Sequence, residues 1–186
     1  MQTGIIPGSL SAVTRDNRTT IAESFINADT IILVDTSGSM GIIDDHNAGI
    51  DRYTRACQEL AKLQASLPGK IAVLAFSSTV VFCPSGTPTF LMAGTDLAGA
   101  LKFIRVADDC DMRFIVISDG APESERDALR EAKRFTSVIS TIFIGAEGDP
   151  GQSFLAKLAA ASGGQASINH SGIDLASGIQ KLLTAA

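Results

Sequence analysis

The sequence predicts a doubly wound α/β fold: a mainly parallel six-stranded sheet with one antiparallel edge strand and helices on both faces. Short apolar runs alternate along the chain with segments whose apolar residues recur at helical spacing, which is typical of parallel sheets covered by helices. Most of these runs are unbroken, as expected of strands that are buried on both faces. Only residues 77–79 separate the second and third strands, so that pair is expected to be antiparallel.

The first half of the chain predicts one strand, one helix and then two strands. Residues 31–34, Ile-Ile-Leu-Val, form the first strand. A helix at 52–67 follows, because its apolar residues fall on one face, and Pro68-Gly69 ends it. Strands at 71–76 and 80–82 come next.

In the second half, strands and helices alternate regularly. Pro122 is suited to the first turn of a helix, and Ser171 is suited to cap one. Glycines 163 and 164 close the helix that precedes the last strand. In order, the elements are expected at about 95–106 (helix), 114–117 (strand), 122–135 (helix), 138–144 (strand), 152–161 (helix), 165–168 (strand) and 171–183 (helix).

Length and composition indicate one folded domain with an N-terminal arm. Residues 1–27 do not fit the alternation and are interpreted as the arm, whereas residues 28–186 form the domain. The net charge of −5 argues against a nucleic-acid surface, which normally carries a clustered excess of Lys and Arg. No apolar run approaches the ~20 residues that span a bilayer, and residues 1–17 lack the pattern of a secretion signal. No membrane insertion and a cytoplasmic location are therefore expected.

Three cysteines, Cys57, Cys83 and Cys110, are widely spaced along the chain. Their number is odd and no Cys-x-x-Cys pair occurs, which disfavours both a zinc site and a disulfide framework. They are interpreted as small apolar residues.

Polar side chains appear abruptly where the first strand ends. Asp35, Ser37 and Ser39 follow the apolar run at alternate positions around Gly38. Uncompensated polar groups in a core cost a few kcal/mol each, so these side chains are expected to have another use. Their hard oxygen atoms suit Mg²⁺ or Mn²⁺.

Two further oxygen-bearing residues are expected at the same edge of the sheet. Asp119 follows the strand at 114–117, and Thr95 opens the helix that precedes this strand. Sheets of this kind bind ligands outside the carboxyl ends of their strands. The predicted metal ligands are therefore Asp35, Ser37, Ser39, Thr95 and Asp119.

These segments resemble the metal-ion-dependent adhesion site of the von Willebrand factor A domain family, written Asp-x-Ser-x-Ser, then Thr, then Asp. The resemblance covers roughly residues 29–184. It implies that Ser37 and Ser39 bind the ion directly, and that Thr95 binds it directly in one state and through water in another. Asp35 and Asp119 would act largely through water. It also implies a protein partner whose Asp or Glu completes the metal shell.

Each residue also has an ordinary structural alternative. Thr95 could be a helix cap, Asp119 with Gly120 could form a turn, and Ser37 and Ser39 could cap loop amides. The loop with Asp44, Asp45 and His46 could tune the site, contact a partner or bind a second ion, or it could simply be a solvated loop.

The sequence and the resemblance favour a metal-dependent protein-binding module, not an enzyme. By analogy with the family, the resemblance implies an intracellular assembly or stress-related complex. The alternative is a Mg²⁺-dependent phosphotransferase in which Asp35 accepts the phosphoryl group. The sequence fits this alternative poorly. Haloacid-dehalogenase-like enzymes have a second Asp two positions after the first, where this chain has Ser37. Response-regulator receivers have a Lys at the end of a later strand, whereas the late strand here ends at Ile144-Gly145. No nucleotide-binding glycine motif and no Gly-x-Ser-x-Gly elbow follows the first strand.

Overall fold

The computed structural model describes residues 28–44, 49–66, 70–110 and 112–169. The expected arm at 1–27, the last helix at 171–183, and Asp45 and His46 lie outside the described residues. The strands are β1 (Thr30–Asp35), β2 (Ile71–Phe76), β3 (Val80–Phe82), β4 (Arg113–Ser118), β5 (Ile139–Ile144) and β6 (Ala166–Asn169). The α-helices are α1 (Arg52–Ser66), α2 (Leu97–Ile104), α3 (Glu125–Ala132) and α4 (Pro150–Ala161). Two 3₁₀ helices cover Gly38–Gly41 and Arg105–Cys110.

The six strands form one sheet in the order β3-β2-β1-β4-β5-β6. All neighbouring pairs are parallel except β2 and β3, so the predicted fold class is confirmed. After β1 the chain builds towards β3 on one side, and it then crosses back to place β4 on the other side of β1. The winding direction therefore changes between β1 and β4. In doubly wound sheets, ligands bind in the crevice outside the carboxyl ends of the strands at such a point.

Both faces of the sheet are covered within the described residues. On one face the apolar side chains of the sheet pack with those of α2, α3 and α4, for example Leu33 with Leu101 and Phe154 in one cluster. On the other face Ile32 and Val34 join a cluster with Leu60 and Leu63 of α1. Burying each such side chain fully contributes about 1.5–3 kcal/mol. The unbroken apolar run of β1 follows from this double burial.

Two helix starts differ from the sequence predictions. Helix α2 begins at Leu97 rather than at Thr95, because the carboxylate of Asp96 accepts from the amide of Gly99 at 2.8 Å and caps it. Helix α3 begins at Glu125 rather than at Pro122, since the hydroxyl of Ser124 caps that helix. Thr95 is therefore neither the first helical residue nor the cap, and it remains in the loop before α2.

Candidate metal site at the carboxyl edge of the sheet

The loop after β1 turns back on its own last residue. Asp35 is fully buried, and its Oδ1 accepts a 2.9 Å hydrogen bond from the amide of Ser37. A 3₁₀ helix at Gly38–Gly41 follows at once. This tight turn places the hydroxyls of Ser37 and Ser39 3.1 Å apart. The alternating polar residues of the sequence thus form a pair of adjacent hydroxyls beside a buried carboxylate.

Asp35 also links the two strands on either side of the crevice. The hydroxyl of Ser118, the last residue of β4, donates a 2.6 Å hydrogen bond to Oδ2 of Asp35. The same hydroxyl accepts from the amide of Gly120 at 2.9 Å. Asp35 therefore fixes the loop after β1 to the loop after β4.

Burial changes the acidity of this carboxyl. Desolvation raises the pKa of Asp35 from 3.8 to about 6, the negative charge of Asp119 adds to the rise, and the hydrogen bonds from Ser118 and Ser37 oppose it. The carboxyl of Asp35 thus binds a proton more readily than an exposed aspartate. A cation beside Asp35 would favour its ionised form.

Backbone hydrogen bonds tie the loop before α2 to the loop after β1. The amide of Gly38 donates to the carbonyl of Ala93 at 3.0 Å, and the amide of Met92 donates to the carbonyl of Thr36, also at 3.0 Å. Met92 has a φ of 54°, a left-handed conformation that side chains other than glycine seldom adopt. The two loops that carry Ser37 and Thr95 are therefore in direct contact.

Thr95 is fixed by its own backbone as well. Its carbonyl accepts a 3.0 Å hydrogen bond from the amide of Glu123, in the loop after β4. The next residue, Asp96, donates its amide to the carbonyl of Ser77 at 2.9 Å. Thr95 is buried, with 7% of its surface exposed. The loop that carries Thr95 is therefore bonded both to the loop after β1 and to the loop after β4.

Asp119 has one paired and one unpaired oxygen. It is 1% exposed, and its Oδ2 accepts a 3.0 Å hydrogen bond from Nη1 of Arg52. Its Oδ1 is buried without a hydrogen-bond partner in the described part of the chain. Buried acceptors are nearly always satisfied by protein or by ordered water. An ion or an ion-bound water at this edge would satisfy Oδ1, so the residues present fit a divalent cation.

Sequence reasoning missed Arg52. It begins α1, and it is 6% exposed. Its guanidinium hydrogen bonds to Asp44 through both Nε and Nη2, to Asp119 through Nη1, and to Asp149 through Nη2 at 3.3 Å. A cation in the first turn of a helix opposes the helix dipole, and that position could have indicated acidic partners.

Two glycines allow the loop after β4 to touch the first turn of α4. Gly120 has a φ of 75°, and a Cβ added there would lie 2.3 Å from the carbonyl oxygen of Gly151. A Cβ added to Gly151 would lie 1.8 Å from the carbonyl oxygen of Asp119. The close approach positions Asp119 and also brings Asp149, which caps α4, near the site.

The structure brings together the side chains of Asp35, Ser37 and Ser39, with Asp119 close enough to influence Asp35. It places Thr95 in the adjoining loop through backbone contacts. Among the described residues, no group of three or more His, Cys, Asp or Glu side chains is arranged to hold a metal ion. The candidate site has two carboxylates, and its remaining oxygens are hydroxyls.

Comparison with protein-family models and with curated proteins finds no match. Solved structures do match. A von Willebrand factor type A protein from Catenulispora acidiphila superposes with a TM-score of 0.58 at 19% identity, over 82% of this chain and 41% of that one. This chain has the von Willebrand factor A fold. Its six-stranded sheet, parallel except for one strand and flanked by helices, is consistent with that fold.

Two other structures share the von Willebrand factor A fold with this chain. An aerotolerance-related membrane protein from Bacteroides fragilis matches with a TM-score of 0.67 at 15% identity, over 84% of this chain and 98% of that one. The manganese-loaded TRAP protein of Plasmodium vivax matches with a TM-score of 0.60 at 19% identity, over 86% of this chain and 72% of that one. Among the described residues, no helix combines the length and the apolar character needed to cross a bilayer.

Proposed function

We propose that this domain is a divalent-metal-dependent protein-binding module. In this proposal Ser37, Ser39 and Thr95 hold Mg²⁺ or Mn²⁺, and Asp35 and Asp119 support them largely through water. The ion would supply a positive charge with a coordination position open to a partner's carboxylate. One observation carries the proposal: Oδ1 of Asp119 is buried without a partner at the edge that also presents the two hydroxyls.

The chemistry of the oxygen donors supports capture of an acidic partner. Hydroxyls are neutral, so an ion held mainly by Ser37, Ser39 and Thr95 keeps most of its charge. Such an ion attracts a further carboxylate more strongly than an ion already surrounded by carboxylates. The manganese-loaded state of the Plasmodium vivax protein supports the choice of ion, since that protein has the same fold.

The surface around the candidate site supports a protein partner. Ile42 and Ile43 follow the 3₁₀ helix and are 48% and 38% exposed, and Met92 in the neighbouring loop is 71% exposed. The amide of Ile42 donates to the carbonyl of Ser39, so this apolar surface begins beside the hydroxyl pair. Exposed apolar patches with polar surroundings mark interaction sites. We therefore expect the partner's acidic residue to be flanked by apolar side chains.

The environment of Asp35 does not favour the phosphoacceptor alternative. A phosphoryl acceptor must reach its donor, whereas Asp35 is fully buried and both of its oxygens accept hydrogen bonds. The proposal therefore treats the domain as a binding module and not as an enzyme.

We also propose that the domain works in the cytoplasm, in an assembly or stress-related complex. Cys57 and Cys83 are free thiols, which is usual in a reducing compartment. The Bacteroides fragilis neighbour is described as aerotolerance-related, which accords with a stress role, and also as a membrane protein. Fractionation of cells that produce this chain tests the compartment, and recovery with membranes would contradict a cytoplasmic location.

Capture of a partner under controlled metal conditions tests the proposed function. The immobilised domain is exposed to lysate from the source cells with Mn²⁺ or with chelator, beside the Ser37→Ala variant. We expect one partner to be retained only by the wild type with Mn²⁺, and excess acetate to release it. Retention that is equal with chelator, or equal for Ser37→Ala, would contradict the proposal.

A further inference from the structure

Arg52 joins three loops at the candidate metal site. Its Nη2 lies 2.8 Å from Oδ1 of Asp44, after β1, and 3.3 Å from Oδ2 of Asp149, after β5. Its Nη1 lies 3.0 Å from Oδ2 of Asp119, after β4. A buried charge is costly unless it is paired and hydrogen bonded. These three carboxylates offset that cost for Arg52.

Arg52 contacts only one of the two carboxylate oxygens of Asp119. Oδ2 is occupied by the guanidinium, whereas Oδ1 is the buried oxygen without a partner in the described chain. A carboxylate released from this pairing could turn both oxygens towards an ion. With Arg52 in place, Asp119 offers one oxygen, and part of its charge is already compensated.

The charge around the site still favours a cation. Asp35, Asp44, Asp119 and Asp149 carry four negative charges when ionised, and Arg52 carries one positive charge, which leaves −3. Replacing Arg52 by a neutral residue would make it −4. Arg52 therefore lowers the attraction for an ion without abolishing it.

We propose that Arg52 is a positioning residue that sets how tightly the site holds its ion. By binding Oδ2 of Asp119, Arg52 leaves only Oδ1 of that residue for the ion. Arg52 also offsets part of the negative charge around the ion, so the ion still attracts a partner's carboxylate. This inference rests on the proposed metal-binding function. It predicts that removal of Arg52 has opposite effects on the binding of the metal and of a carboxylate.

Water-proton relaxation with Mn²⁺ tests the inference, because it reports both the affinity for Mn²⁺ and the exchangeable waters on the ion. Arg52→Gln should bind Mn²⁺ roughly threefold to tenfold more tightly than the wild type, the order expected for loss of one nearby positive charge. The ion should also carry fewer exchangeable waters. Arg52→Lys keeps the charge but loses the forked hydrogen bonds, so its Mn²⁺ affinity should lie between those of the wild type and Arg52→Gln.

Acetate serves as the carboxylate probe in the same experiment. In the wild type, acetate should displace water from the bound Mn²⁺. In Arg52→Gln, several-fold more acetate should be needed for the same displacement, although the metal is held more tightly. A residue that merely holds the loops together would weaken both steps when it is removed, so this split distinguishes the two roles.

Each outcome bears on the inference. If the wild type binds Mn²⁺ but Arg52→Gln binds it equally or more weakly, the inference is wrong while the proposed function stands. If the wild type binds no Mn²⁺, both fail. Should Arg52→Gln not fold, Arg52→Gln combined with Asp44→Asn removes opposite charges together. Its Mn²⁺ affinity must then exceed that of Asp44→Asn alone, because these two variants differ only by Arg52.

Discussion

Ser118 donates a 2.6 Å hydrogen bond to Asp35 across the junction between β1 and β4. The two residues are 83 positions apart, and each ends its strand. This bond joins the strands between which the sheet changes its winding direction. It holds the loop with the hydroxyl pair against the loop that carries Asp119.

Replacing Asp35 by Asn should change the pH dependence of stability in the metal-free domain. The folded-state pKa of Asp35 is raised from 3.8 to about 6. The contribution of this carboxyl to the stability of the fold is therefore fully present below about pH 4 and is lost as pH rises through 6. Asparagine resembles the protonated carboxyl. At pH 7.5 in chelator, Asp35→Asn should therefore unfold at higher urea concentration than the wild type, by up to ~3 kcal/mol in unfolding free energy.

The comparison at low pH provides the control for this prediction. At pH 4.5 the wild-type carboxyl is already protonated in the folded state, so the difference between the two proteins should shrink. Other titrating groups are common to both proteins and cancel. An equal difference at both pH values would show that Asp35 does not titrate as described.

The contact between the loop after β4 and the first turn of α4 should be sensitive to a single methyl group. Gly151→Ala would place a Cβ against the carbonyl of Asp119 and force the loop after β4 away from α4, at a cost of roughly 1–3 kcal/mol in unfolding free energy. Gly38→Ala is the matched control, since its nearest contact would lie at 3.9 Å. Denaturant unfolding of both variants checks this. Equal stability of the two would contradict the described approach.

The hydroxyl of Ser37 should matter for the metal more than another buried hydroxyl at the same edge does. Ser37→Ala removes a proposed ligand and should weaken Mn²⁺ binding at least tenfold. Ser77, directly after β2, also has a buried hydroxyl, and that hydroxyl has no hydrogen-bond partner in the described chain. Ser77→Ala should leave the affinity for Mn²⁺ unchanged and the fold equally stable, because no satisfied bond is lost. Isothermal titration calorimetry with Mn²⁺ measures the affinity of both variants. Equal losses of Mn²⁺ affinity would argue against a specific role for Ser37.

Acetyl phosphate should not modify Asp35. Its two oxygens are buried and hydrogen bonded, so a phosphoryl donor cannot reach them without opening the junction of β1 and β4. Mass spectrometry after treatment with acetyl phosphate and Mg²⁺ should find no added phosphate on Asp35. Phosphate on Asp35, absent from Asp35→Asn, would restore the phosphotransferase interpretation.

The sheet was predictable because each of its signals is local. The apolar runs that became β1 and β4 are unbroken because both faces of those strands are buried. The polar residues after Val34 and after Ile117 stand out because they interrupt such runs. Their common location then follows from the rule that parallel strands end at one edge.

The contacts of Arg52 were not predictable in this way. Its partners Asp44, Asp119 and Asp149 are 8, 67 and 97 positions away, and only the fold brings them together. The predicted start of α2, at Thr95, was also two residues too early. Thr95 and Asp96 both resemble helix caps in the sequence, and only the observed hydrogen bond from Gly99 identifies Asp96 as the cap. Neither outcome follows from a local pattern.

Calorimetric titration of the wild-type domain with Mn²⁺ and Mg²⁺ tests the central proposal most directly. The proposal predicts one bound ion per domain. It also predicts that free metal at about 100 times its Kd raises the unfolding free energy by about 2.7 kcal/mol, with full reversal by chelator. Absence of binding for both ions, together with an unchanged melting temperature, would contradict the assignment of Asp35, Ser37, Ser39, Thr95 and Asp119 as a metal site.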